Sequence, residues 1–480
     1  MTSVRLPALL GLLAIAAALP VNGYEVNAWP AAVFEKDAAG KTVSWTGAGP
    51  LLFSGQAPAP DKGTAQGFRP FYVRVKSEEN VKTDILYPLF FFRKYPDAYK
   101  WSVFQLINGE GIDRAATLSG QPTDRHLDIW PFYFSHETGD PRDSYRALLP
   151  FYGTVVGRLG FDRLLWVLFP LYVDAYKRHT DVSYIPFPFV RISRGDANGF
   201  GIWPLFGSTR GPGNSRHAFF LWPFGWDNAV DPPPESPAGT APKTQLGILP
   251  LYTRDTGPGS ISENYFWPFF GYTELTIPDR YSEKRYFWPF LVQGRGDTRY
   301  VNRWGPFYTY SNDSGYDSRW VLWPLWHRMT WVDEDLHQSK TQFFYFLYWC
   351  QEQRSESRPS LAPGYKRHIW PLLSIWDNGA GSRQVEFPSV FEVFFPDNPD
   401  VRETWSPLFS VYRFDRRPTG ESRSELLWGA LTWKSNPGEG LSEFHLGPLL
   451  GMRRQPPGQA WTILGFDFGA KSGESSRLNR

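Results

Sequence analysis

Eight histidines are the first residues to weigh as chemistry: His126, His136, His179, His217, His327, His337, His368 and His445. None forms His-x-x-x-His or His-Glu-x-x-His, the spacing that sets two imidazoles on one helix face for zinc. They fall in turns and near strand ends, where solvated or hydrogen-bonded rings are expected. Asp333-Glu334-Asp335 and Asp397-Asn398-Pro399-Asp400 are oxygen-rich, but neither has calcium-loop spacing. Arg-Gly-Asp occurs at 194–196 and 295–297, both where hairpin turns are expected, and Gly-Asp is common turn chemistry. Asn312-Asp313-Ser314-Gly315 reads the same way; its glycosylation pattern matters only on a eukaryotic secretory route. There is no Gly-x-Ser-x-Gly elbow and no phosphate loop. Cys350 is the one cysteine; Arg354 is the nearest basic residue in sequence, and an inert thiol is expected. Distant carboxylates could still meet in the fold. The sequence therefore nominates no catalytic, cofactor-binding or metal residue, and a non-enzyme is expected.

What must position such groups is a repeat. The chain has 480 residues, with 22 Trp, 24 Tyr and 38 Phe, 43 Pro and 44 Gly. Fifty basic residues nearly balance 48 acidic ones, so no field points to nucleic acid. Disordered chains lack this aromatic content, so Pro and Gly read as punctuation in a folded β-rich protein. One cysteine excludes a disulfide within the chain and a Cys-based metal site. Residues 1–23 read as a secretory signal: Arg5, the apolar run Leu6 to Pro20, and small Gly23 before a cleavage point at Tyr24. A short membrane anchor is the competing reading of that run.

Residues 24–54 suggest an N-terminal hairpin around Asp37-Ala38-Ala39-Gly40, and 55–66 a Pro/Gly/Ala loop. From Phe68 a unit recurs: apolar residues, often Trp, then Pro, then Phe, Leu or Tyr. Copies include Trp130-Pro131-Phe132, Trp203-Pro204-Leu205, Phe266-Trp267-Pro268-Phe269 and Trp288-Pro289-Phe290. The prolines stand mostly 16 to 21 residues apart between Pro131 and Pro324, with one step of 27. Two helices plus turns do not fit in that period. One strand of ten to twelve residues plus a turn does, with the proline mid-strand. Val385, Phe387, Phe391 and Val393 would share one face. The joints carry turn chemistry: Gly294-Arg295-Gly296-Asp297, Asp377-Asn378-Gly379, Pro418-Thr419-Gly420, Asn436-Pro437-Gly438. Longer polar loops at 109–124, 228–243 and 352–365 are expected on one rim.

The expectation is an all-β protein, a large antiparallel up-and-down meander of roughly 20–23 strands, closed as an outer-membrane-type β-barrel. A mid-strand proline opposes a lipid-facing wall, because it removes a ladder donor. The domain division is a signal at 1–23, hairpin and loop at 24–66, the repeat at 67–470 and a polar tail at 471–480. The register through Leu149-Pro150-Phe151-Tyr152 and Phe169-Pro170-Leu171-Tyr172 resembles uncharacterised bacterial cell-envelope Trp-Pro-Phe repeat β proteins. That resemblance implies an envelope location and β architecture, and carries no site residues. The functional expectation is a pore or scaffold partnered by the outer-membrane lipid bilayer, with closure by pairing of the strand near Trp29 with that near Phe466. The alternative is a secreted or periplasmic β-repeat protein that binds a glycan or envelope polymer; glycans or small solutes are the further partners expected.

Overall fold

A computed structural model gives the fold and describes residues 23–37, 39–57, 63–112, 124–237, 239–456, 458–464 and 466–469. The expected signal (apart from Gly23) and the tail at 471–480 lie outside the described residues, as do parts of the 55–66 and 109–124 loops. One antiparallel sheet of 44 short strands runs from Tyr24–Ala28 to Phe466–Gly469, and each strand pairs with its neighbours in sequence. The all-β, up-and-down architecture is as expected; the unit is not. Each repeat is a hairpin of two strands, which doubles the expected count of 20–23.

The cycle from Pro306 to Pro324 shows why. Strand Tyr308–Asp313, the polar turn Ser314-Gly315, strand Tyr316–Val321 and the turn Leu322-Trp323-Pro324-Leu325 account for all eighteen residues. The Trp-Pro-Phe segment is thus a turn and not a strand centre, which corrects the mid-strand placement. Proline has no N–H to give a ladder, so the turn is where it costs nothing. The preceding peptide bond is cis at Trp222-Pro223, Trp267-Pro268, Trp288-Pro289 and Trp323-Pro324. The residue two before the proline takes a positive φ in copy after copy: Leu168 and Leu221 at 47°, Phe266 at 47°, Leu322 at 50°. Copies without proline keep the turn: Phe344-Tyr345-Phe346-Leu347 joins Leu336–Phe343 to Tyr348–Ser355.

Because every second turn is aromatic, all aromatic turns lie on one rim and all polar turns on the other. Of the three long polar connections expected to share a rim, those between Gly225–Val230 and Lys243–Ile248 and between Tyr348–Ser355 and Gly364–Ile369 lie on the polar side, while residues 113–123 lie outside the described residues. Successive aromatic turns are stitched by main-chain hydrogen bonds. The N–H of Leu221 donates to Leu205 at 2.6 Å, that of Leu249 to Phe224 at 2.6 Å, that of Phe266 to Leu251 at 2.8 Å and that of Trp288 to Phe269 at 2.7 Å.

On one face, a cross-strand row alternates large and small side chains, so that flat rings lie over glycine. A Cβ on Gly247 would stand 2.2 Å from the Trp226 ring, and one on Gly207 would stand 2.4 Å from the Phe219 ring. Gly247→Val is expected to destabilise the chain by about 1–3 kcal/mol, since the ring is held against backbone and cannot yield freely. A urea-denaturation midpoint left in place would refute this packing account.

The expected Val385–Val393 strand is also corrected. The strand Arg383–Phe387 stops before Pro388, and residues 389–411 form an irregular insertion with short helical turns at Val401–Trp405 and Ser406–Leu408. This insertion bridges early and late strands of the sheet. Its Asp400 pairs with Lys82 at 3.5 Å, its Trp405 stacks on Tyr87 at 6.3 Å, and the Thr404 carbonyl accepts from Arg69 Nε. At the strand side, Phe394 packs on Phe346 and Trp370, and Lys366 pairs with Asp397. Tyr24–Ala28 pairs with Ala32–Lys36 and has no ladder with Phe466–Gly469 among the described residues; its side chains instead meet the strands around Arg423, Thr432 and Glu443.

Candidate membrane-facing rim and charged seam

Two features concentrate chemistry: the aromatic rim, and the seam where the first strands meet the last. The rim is apolar for more than its turns. The residues that flank each aromatic turn pair across the sheet as Phe206↔Phe220, Tyr252↔Tyr265↔Phe270, Trp304↔Tyr308 and Leu446↔Leu450. Turn and flanking row together give an apolar belt roughly 8 Å deep, from the rise of a strand. Its side chains stand in the open: Trp323 is 57% exposed and Phe307 67%. Scattered exposed apolar residues are ordinary, but a continuous belt of this length marks an interaction surface.

The strand bodies differ. Arg74, Arg254, Lys284, Arg319, Arg328 and Arg367 are exposed and project from the face opposite the glycine–aromatic row. The longest strands have eight residues and most have five or six. A strand that crosses a bilayer needs about 9–11 residues and an apolar outer band of about 25 Å.

The seam is ionic. Glu25 is buried and pairs with Arg423 Nη2 at 3.2 Å, accepts from the Thr432 hydroxyl, and gives its backbone N–H to Glu443 Oε1 at 3.1 Å. Arg423 also reaches Glu35 at 3.2 Å and Glu425 at 2.9 Å. Burial acts to raise the Glu35 carboxyl, but Arg423 and the Ser44 hydroxyl outweigh it, and its pKa falls below the ordinary range. His445 lies 3.1 Å from Glu443; burial opposes its charge, yet that carboxylate raises its pKa. Beside these, the strands and the 389–411 insertion line an open cavity of about 750 Å³.

Under the insertion lies a buried polar cluster that sequence spacing did not show. His368 Nδ1 is 2.7 Å from Ser374 Oγ, which is 2.6 Å from Ser389 Oγ. A nucleophile beside a base needs an open approach and a group that orients the base. Here His368 and Ser374 are 1% exposed, and His368 Nε2 has no partner among the described residues. Burial lowers His368 to about 4. Glu386 and Glu392 are also buried, and desolvation raises both carboxyls.

These shifts have opposite consequences. His368 has a folded pKa below its unfolded one, so its contribution is present above the unfolded value near 6.5 and is lost as pH falls towards 4. Glu386 has a folded pKa above its unfolded one, so its contribution is present at low pH and is lost as pH rises through the raised value. Glu386→Gln keeps the shape and removes the charge. Relative to wild type it should gain about 1–3 kcal/mol of stability between pH 5 and pH 8, with the lost 3.8 Å contact to Arg413 acting against it at both. A difference in urea midpoint that is the same at pH 5 and pH 8 would contradict this.

Among the sequence candidates, His126 and His136 are brought together. They are cross-strand partners with stacked rings 3.7 Å apart, and Asp124 lies 2.8 Å from His136 Nε2 and 3.7 Å from His126 Nε2. Three ligand atoms thus converge on the polar rim. Parallel stacked imidazoles cannot both aim in-plane lone pairs at one ion, and Arg158 already sits 3.3 Å from His126 Nδ1. Asp397 and Asp400 serve the insertion through Lys366 and Lys82, and Asp335 accepts from Ser355 and Ser357 at a polar turn. The Arg-Gly-Asp copies lie at polar-rim turns, with Asp297 N–H donating to Arg280 at 2.9 Å. Cys350 faces Arg367 across the ladder rather than Arg354. No protein-family model matches the chain, and no curated protein matches it either.

Proposed function

We propose that this chain is a non-enzymatic scaffold of the bacterial cell envelope that seats its aromatic rim in one leaflet of a lipid bilayer. The observation that carries the reading is the belt: Trp, Phe, Tyr and Leu along one continuous rim, with charged strand faces above it. Amphipathic aromatic rings favour the membrane boundary. An apolar depth of roughly 8 Å matches the 5–10 Å to which interfacial elements insert. Each hairpin tip adds a small gain, and the row sums them. The outer membrane is the site that the signal-like N-terminus and the envelope resemblance favour. Closure, on this reading, comes from the 389–411 insertion and the Glu25–Arg423 seam rather than from a last ladder. An enclosed pore through the bilayer fits less well, because the strands are short and both faces carry charge.

A second reading keeps the aromatic rings for glycans, favoured by flat, exposed rings such as Trp130 and Trp222. Vesicle flotation separates the two. The purified chain should float with phosphatidylethanolamine–phosphatidylglycerol vesicles in 1 M salt and resist alkaline extraction. A chain that stays in the dense fraction, or that free oligosaccharide displaces, would count for the second reading.

A further inference from the structure

We infer that the cavity between early and late strands of the sheet binds a multiply charged oxyanion, a phosphorylated ligand of about sugar size. Nine basic side chains line it against six carboxylates, and Glu25, Asp397 and Glu386 just behind the wall pair with three of the nine.

More telling is how those charges are paired. Arg413, Arg417, Arg423 and Lys434 each have a carboxylate within ion-pair distance, and Lys366 has Asp397. Arg69, Arg383, Arg402 and Arg416 have none among the described residues. Arg69 is 4% exposed; its Nε donates to the Thr404 carbonyl and its Nη1 to the Pro50 carbonyl at 2.8 Å, with the guanidinium over the Phe53 ring at 3.7 Å. Arg402 lies over the Trp376 ring at 5.1 Å, and the Nε atoms of Arg383 and Arg402 are buried without a hydrogen-bond partner. Arg416 donates to the Gly381 carbonyl at 3.0 Å. Two carboxylates at the wall, Asp377 and Glu403, also lack an ion pair, and burial raises the Glu403 carboxyl towards its neutral form. Burial, with Arg413 nearby, lowers Arg69 to about 9.

Arg69 is buried and Arg383, Arg402 and Arg416 are half-buried; holding four cations there without counter-charge is costly unless something supplies the charge. Guanidinium forks match phosphate oxygens two at a time, which a lysine cannot do. The remaining wall suits a polyol: Gln351, Gln353 and Gln384 offer amides, and Trp45 offers a flat ring. About 750 Å³ lies within the range of small-molecule sites.

The phosphate could be free on a sugar or be borne by a lipid headgroup, and titration of the full chain in detergent separates them. Glucose 1-phosphate and inorganic pyrophosphate should bind, and glucose should not. Arg383→Gln and Arg402→Gln should each weaken binding at least tenfold, and the exposed control Lys284→Gln should leave it unchanged. Gln353→Glu, which removes no arginine and is nearly isosteric, should weaken binding similarly and covers the case in which an arginine variant fails to fold. Competition by phosphatidylglycerol vesicles would assign the lipid source, and its lack the soluble one. No heat with either anion at millimolar concentration would overturn the site. So would unchanged affinity in natively folded Gln353→Glu. Neither result bears on the rim, whose vesicle binding is read separately.

Discussion

Replacing Trp222, Trp267, Trp288 and Trp323 together by Glu is expected to lower vesicle partitioning at least about a thousandfold while leaving the sheet intact. These rings occupy equivalent places in four aromatic turns and are 42–57% exposed. Each offers roughly 100 Å² of apolar surface to lipid, worth about 2.5 kcal/mol at the usual area coefficient. Four would contribute about 10 kcal/mol in sum, and four added carboxylates oppose insertion near anionic headgroups. Far-ultraviolet dichroism should change little, because the turns are held by main-chain bonds between neighbours, and the one indole bond among the four, Trp323 Nε1 to the Tyr345 hydroxyl at 3.0 Å, is additional to these. Unaltered flotation of the quadruple variant would remove the rim from the account.

Arg423→Met should produce the largest loss of stability, about 3 kcal/mol, because removing one partner of a buried charge group leaves the others uncompensated. Glu25, Glu35 and Glu425 all lie within 3.2 Å of that guanidinium. Without it the three carboxylates repel, and the strand Tyr24–Ala28 loses its hold on the far end of the chain. The defect should shrink as pH falls towards 4, since Arg423 is what holds the Glu35 carboxyl below the ordinary range, and protonating Glu35 removes one uncompensated charge. Denaturant midpoints at pH 7 and pH 4, with hydrogen exchange at Glu25 to Ala28, would check both statements. Unchanged exchange at pH 7 would mean that the seam does not clasp the ends.

The class and order of the fold were legible because turn chemistry is local. Asp37 to Gly40, Asn312 to Gly315 and Asp377 to Gly379 all lie at polar-rim turns. The aromatic segments misled for a physical reason. A run such as Tyr286-Phe287-Trp288-Pro289-Phe290 has the composition of a buried strand, and hydropathy cannot separate burial in a sheet from exposure on a rim. The discriminating signal was present in the missing N–H of Pro289, and it weighed against a ladder. The seam could not be read in this way. Glu25 meets Glu443 across 418 residues, and neither residue stands in a motif. The 389–411 insertion was hidden by Val385, Phe387, Phe391 and Val393, whose alternation imitates a strand across Pro388. His126 and His136 were visible as residues, but their opposition depends on a register set by the turn between them.

Depth-dependent quenching tests the central claim most directly. Single bromine-labelled lipid positions would be scanned against two variants, one retaining tryptophan only in the aromatic turns and one carrying a reporter tryptophan at the polar turn in place of Ser314. The rim tryptophans should be quenched most strongly by bromines in the upper acyl chain, and the Ser314→Trp reporter should not be quenched at any depth. Equal quenching at both rims, or none at either, would contradict a rim seated in lipid.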